Sequence, residues 1–287
     1  MLYLELLFQG IVQGSIYALI ALGLTLVYGL LRILHVAHAA LFTLGGYLGV
    51  LITNATGSLG LAMAVSMVVV GFVGIGVYKF AYEPLLSKPP FIALIASIAL
   101  FIASEEIFRI VFGPYGLSYL NPPLQGSFEL FEGFYLKYGE ALVIGVSVLM
   151  LSILGWLSMN TRMGVSWRAT VLDPDMARAF GVNIQNVRYL NFFVGSALAA
   201  AAGVLVALLN NLVEPTMGSV PSYKALAIIV LGGLGSIRGT LVASMSLGII
   251  ESFGTIYLGH FLDRDALAFG FLILVLMFRP QGLLGAK

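Results

Sequence analysis

Residues 160–191 read NTRMGVSWRATVLDPDMARAFGVNIQNVRYLN. They lie between two apolar segments, each long enough to cross a bilayer, and carry Arg162, Arg168, Arg178 and Arg188. Inside the stretch a short helix is marked at both ends. Asp173 can cap its N-terminus, Pro174 suits the first helical position, and Asp175 favours the positive end of the helix dipole. Arg178 falls near the negative end, and Gly181 is suited to a left-handed terminator. About two turns are predicted over residues 174–180, roughly 10 Å in length. Met176 and Phe180 would share one face, while Ala177 and Gly181 would let another surface come close. A surface-lying connector would have the same look; the capped ends and shared face point instead to a docking helix for a partner outside the membrane.

The surrounding chain explains why such a helix stands out. Of 287 residues, 60% are hydrophobic and only 9% charged, and the mean hydropathy is +1.03. Soluble domains carry about 25% charged residues, so the chain is read as an all-α, polytopic membrane protein. The expectation is a single transmembrane domain over residues 1–287, with a bundle of about 8–10 helices. A net charge of +1 gives no nucleic-acid signal, and the absence of cysteine excludes disulfides, thiolate metal sites and a cysteine nucleophile. The 34 glycines suit close helix packing.

In order, spans are expected at 10–31, 38–52, 58–80, 91–112, 140–159, 190–212, 224–234, 240–257 and 266–278. The second is interrupted by glycines (LFTLGGYLGVLI) and the seventh is short, so both are candidates for half-spans. A polar turn is expected at 54–57, proline-bounded loops at 82–90 and 214–222, a long loop at 113–139 that includes Glu129 and Glu132, and a polar loop at 260–265. If the arginine-rich loop is cytoplasmic, alternation places Arg32, Lys79, Lys88, Arg162, Arg168, Arg178, Arg188, Arg238, Arg279 and Lys287 inside. Only Arg109, Lys137, Lys224 and Arg264 remain outside. The N-terminus is then outside and the C-terminus cytoplasmic.

Catalytic signatures are incomplete. His35 and His38 stand three residues apart without the Glu of a helical zinc-protease motif, and His260 is remote in sequence. GGLGSIRG at 232–239 resembles a phosphate cradle but lacks the Lys-Ser/Thr ending, so it is read as a helix break or tight packing. Charges at membrane depth are costly unless paired or wet. Glu105 and Arg109 are spaced to pair on one helix face, as an interfacial pair or as part of a solute route. Tyr28, His38 and Tyr47, around the glycine-rich second segment, are the other candidate pathway residues, with packing the competing reading for each. A secondary transporter or channel would use Glu105 or His38 as an ion site; an intramembrane enzyme would need His35 and His38.

Several motifs in order carry a resemblance. GSIYALIALGLTLVYGLLRILHVAHAALFTLGGYLG at 14–49, TRMGVSWRATVLDPDMARAFGVN at 161–183, KALAIIVLGGLGSIRGTLVAS at 224–244 and LVLMFRPQGLLG at 274–285 resemble the bacterial branched-chain amino-acid ABC transporter permeases, the Liv-type family. The likeness runs from about residue 10 to 285. It implies a type II ABC importer permease-like membrane subunit in the bacterial inner membrane. Its partners would be a second, usually non-identical permease, two ATPase subunits that bind ATP and Mg, and a periplasmic or lipid-anchored solute-binding protein. No cofactor is implied in this chain. The resemblance makes residues 174–181 the ATPase-coupling helix within a loop at about 160–189, with Arg168, Asp173, Pro174, Met176, Ala177, Arg178, Phe180 and Gly181 as its coupling residues. Family members often carry Asn-Phe-Ala-His-Gly followed by an acid, where this chain has His35-Val36-Ala37-His38-Ala39-Ala40. The departure bears on cargo, since relatives serve branched-chain amino acids, urea, amides and small organic acids.

Overall fold

The computed structural model describes residues 2–131, 133–259 and 261–284. Three expectations therefore lie outside the described residues: Glu132 in the long loop, His260 at the start of the polar loop, and Lys287 on the inner side.

Among the described residues, seven helical spans are long and apolar enough to cross a membrane. They contain α1 (Leu2–Leu31), α2 (His38–Thr56), α3 (Leu59–Val77), α4 (Pro90–Phe112), α5 (Tyr138–Asn160), α8 (Ile184–Asn210) and α10 (Ile237–Leu258). Between α5 and α8 lie α6 (Arg162–Leu172) and α7 (Pro174–Ala179). The shorter α9 (Ser219–Gly232) and α11 (Arg264–Phe278) complete nine apolar helices, as the sequence predicts. At 14 and 15 residues they are each roughly 21–23 Å long, less than the ~30 Å hydrocarbon layer.

The second segment differs from expectation. It is neither broken nor half a span: α2 runs through 19 residues, and the turn placed at 54–57 is helical until Gly57 closes it with φ +72°. Its glycines serve packing instead. A Cβ on Gly45 would stand 2.4 Å from Ala200 Cα, so α2 and α8 can meet only where that side chain is missing.

Helix α1 lies at the centre, packed on α10, α8, α9 and α5, while α8 also receives α2 and α3. Both α1 and α8 are largely buried, whereas α4 and α5 turn most of their apolar length outward. Phe72, Ile110 and Trp156 are exposed on the outer helices, as expected of surfaces covered by lipid or a membrane partner rather than water.

The two ends are built differently. At one end β1 (Leu117–Ser118) pairs antiparallel with β4 (Leu212–Val213), and β2 (Ser127–Phe131) forms a hairpin with β3 (Phe134–Lys137). Asn54 ties α2 to this layer, donating to Ser118 O and accepting from Leu120 N, each at 3.0 Å. At the other end α3 continues through a π turn over Tyr78–Tyr82, and Pro84, which lacks an N–H, helps end it. Glu83 there accepts from Gln185 and Tyr189 of α8. Residues 283–284 are laid against α9, with Leu283 N donating to Leu231 O at 2.7 Å and Leu284 N to Gly232 O at 3.2 Å. GGLGSIRG is a break, as expected: Gly233 and Gly235 have positive φ, and Ser236 caps α10.

Candidate functional site

The short helix has its predicted ends, but the arginine-rich loop is shorter than predicted: α8 begins at Ile184 rather than at 190, so Arg188 lies inside that helix. Thr161 caps α6 by accepting from Gly164 N at 3.1 Å, and Arg168 Nη1 donates to Ser158 O, which fastens α6 beneath α5. Asp173 is the corner: one carboxylate oxygen accepts from Asp175 N at 3.0 Å and Met176 N at 2.9 Å. Pro174 opens α7, and Arg178 pairs with Asp175 at 3.3 Å. At the far end Gly181 has φ +85°; its N–H donates to Arg178 O and that of Val182 to Ala177 O. This is a Schellman termination, which satisfies carbonyls that would otherwise face water unpaired.

The side chains of this helix divide sharply. Ala177 is buried, so its side chain is not the open contact that the sequence predicts. Nothing lies within 4 Å of the Gly181 Cβ position, which leaves that side open. Leu172, Met176 and Phe180 project outward, four residues apart, at 84%, 56% and 83% exposure. Leu172, the last residue of α6, belongs to this patch, although the sequence reading does not single it out.

The four candidate pathway residues do not meet. His38 is buried, with Nε2 3.2 Å from Ile20 O and its ring against Gly23. Tyr47 is fully buried and stacks on Phe112 with centroids 4.1 Å apart. Tyr28 is half-buried on α1. Glu105 accepts from Ser219 Oγ at 2.7 Å. It does not pair with Arg109: that guanidinium is taken by Glu106 at 2.8 Å, one residue closer along the helix.

A charged cluster is instead assembled near the end of the molecule opposite α7. Lys224 of α9 lies 2.9 Å from Glu251 of α10 and 2.9 Å from Asp265 of α11. Tyr17 of α1 donates to Glu251 at 2.7 Å and accepts from Lys224 at 3.1 Å, and Arg264 Nε reaches Glu251 at 3.1 Å. Two cations and two carboxylates thus join three helices, with a tyrosine from a fourth. Lys224 is roughly 8 Å along α9 from its first residue, a depth at which charge demands a partner.

This cluster borders a cavity of about 670 Å³ lined by Tyr17, Lys224, Arg264, Asp265, Glu214 and aliphatic residues of α8 and α9. The sequence held a signal for it: Glu251 is the only acid within the tenth helix. Its partners are far away along the chain, so no spacing rule reveals them.

The family described as "Branched-chain amino acid transport system / permease component" matches residues 6–278. The chain belongs to this permease family. It is 32% identical over 296 residues to LivH of Escherichia coli K12, a high-affinity branched-chain amino acid transport system permease protein, covering 99% of this chain and 96% of LivH. LivM of the same organism, named as a permease of the same kind of system, is 24% identical over 299 residues, covering 94% of this chain and 68% of LivM. Among solved structures, PsaBC from Streptococcus pneumoniae in complex with Fab superposes with a TM-score of 0.51 at 12% identity, covering 97% of this chain and 92% of that one. That likeness concerns the fold. The permease family and the seven apolar spans together make the chain a multi-pass membrane protein.

Proposed function

We propose that this permease is the membrane-spanning subunit of an ATP-driven ABC importer for branched-chain amino acids or a related small polar solute. A solute-binding protein delivers the solute, and ATP with Mg is bound and hydrolysed in two cytoplasmic ATPase subunits. The chain acts as a single transmembrane domain beside a second, non-identical permease. In support of that pairing, it is similar to both LivH and LivM of one organism. The basic end carrying α7 faces the cytoplasm of a bacterial inner membrane, and the N-terminus faces outward.

The observation that carries this reading is α7: a six-residue helix capped at both ends, held outside the apolar core, with Leu172, Met176 and Phe180 outward. Capping fixes its direction, and the exposed apolar side chains give an ATPase groove something to grip. Movement of that groove on ATP binding would then be passed through α6 to α5.

The test is Phe180→Asp in the assembled importer. Solute-stimulated ATP hydrolysis and uptake should fall at least tenfold, while membrane insertion and pairing with the second permease stay normal. Full uptake by that variant would remove the coupling role of α7. Uptake by the purified chain alone, driven by an ion gradient, would assign it to ATP-independent secondary transport.

A further inference from the structure

The cavity beside Lys224 is mixed in character. Leu209, Leu212 and Val220 give it an aliphatic lining, and Lys224, Asp265 and Glu214 bring charges of both signs. Its volume of about 670 Å³ lies within the usual range for small-molecule sites.

The two carboxylates on Lys224 are not equivalent. Glu251 is wholly buried, stands behind the cavity lining, and is also held by Tyr17 and Arg264. Asp265 is 44% exposed and lines the cavity, and Lys224 is its one side-chain partner among the described residues. An incoming carboxylate can take the place of Asp265 without changing the charge around Lys224. Asp265, already near water, is rehydrated at little cost, whereas displacing Glu251 would strand a buried anion. Glu214 is exposed on the same lining and supplies an anion for a cationic group of the same solute.

Resting on the importer reading above, we propose that this cavity seats a zwitterionic amino acid with an aliphatic side chain. Its carboxylate replaces Asp265 on Lys224, its ammonium group lies at Glu214, and its side chain lies against Leu209 and Val220. Asp265 holds the place while the site is empty. Because Asp265 is in the first turn of α11, the exchange also frees that turn from α9.

The chain contains no cysteine, so Val220→Cys places a single thiol in it, on the lining. The thiol is labelled in the assembled complex in nanodiscs with a polar maleimide and read by mass spectrometry of this chain. L-Leucine is the probe; leucinamide, without the carboxylate, and 4-methylpentanoate, without the ammonium, are the controls. At about ten times its Kd, leucine should slow labelling about tenfold, as the empty fraction falls by that factor. The two analogues at the same concentration should leave labelling within twofold of its rate without ligand. Equal labelling with and without leucine, or protection by leucinamide equal to that by leucine, overturns the proposal. Leu209→Trp, which fills the cavity, should lose leucine uptake in a complex that still co-purifies with its ATPase subunits; normal uptake overturns the proposal too. If no ATPase co-purifies, the importer reading fails separately, and the labelling experiment still tests the cavity in membranes holding the chain alone.

Discussion

The ammonium of Lys224 lies 2.9 Å from a carboxylate oxygen of Glu251, and the side chains are only 5% and 0% exposed. One comes from a short helix and the other from a full span, so the pair fixes how α9 lies against α10. Lys224→Met leaves Glu251 buried with one cation fewer and should destabilise the protein by about 3–5 kcal/mol. Adding Glu251→Leu removes the stranded anion and should restore most of that loss. Thermal unfolding in detergent checks both; a double variant no more stable than the single would show that the two residues are not coupled.

The α2–α8 contact makes a second, steric prediction. Gly45→Val puts side-chain atoms where Ala200 Cα already stands, and ordinary side-chain motion cannot relieve a clash with backbone. The variant should fail to accumulate as a monodisperse protein. Gly145→Val on α5, where nothing lies within 4 Å of the added Cβ, should accumulate normally. Size-exclusion chromatography of the two in parallel distinguishes a packing role from a general intolerance of glycine replacement.

Asp173 can be tested apart from transport. Asp173→Ala removes both acceptor contacts at the start of α7 and should cost about 1 kcal/mol of helix stability. Hydrogen exchange at the Asp175 and Met176 amides should rise about fivefold, and solute-stimulated ATP hydrolysis should fall with it. Asp173→Ser, which keeps an acceptor, should recover part of each. Unchanged exchange in the alanine variant would mean that the cap does not hold α7.

Near the same end as α7, the Tyr82 hydroxyl lies 2.6 Å from His35 Nδ1 and donates to Ser97 Oγ at 2.8 Å, which itself accepts from Ala37 N. The tyrosine donates its proton to serine, so the histidine is the donor to tyrosine and carries its proton on Nδ1. Tyr82→Phe leaves buried polar groups without this partner and should cost about 1–3 kcal/mol. A thermal midpoint equal to that of the unaltered protein would show that the chain of hydrogen bonds adds nothing to stability.

How much was legible varies with the range of the forces involved. The limits of α7 could be read because a cap and its amides are neighbours in sequence: Asp173 with Asp175 and Met176, Gly181 with Arg178. The glycines of α2 were misread as interruptions because Gly45 is a response to Ala200, and a sequence does not show which surface a missing side chain admits. The Glu105–Arg109 spacing was permissible on a helix, yet Glu106 was nearer and Ser219 was available across the bundle.

By itself the sequence determined that the chain lives in a bilayer, about how many apolar helices it forms, where it carries a capped helix outside them, and which permease family it resembles. These follow from composition, local hydrogen bonding and ordered motifs, all carried by neighbouring residues. Only the tertiary structure decided that Ala177 faces inward while Leu172 joins Met176 and Phe180 outside, and that Tyr17, Lys224, Glu251, Arg264 and Asp265 meet beside one cavity. A charge buried at membrane depth must find its counter-charge wherever the packing of helices brings one, and that packing is set by contacts across the whole chain.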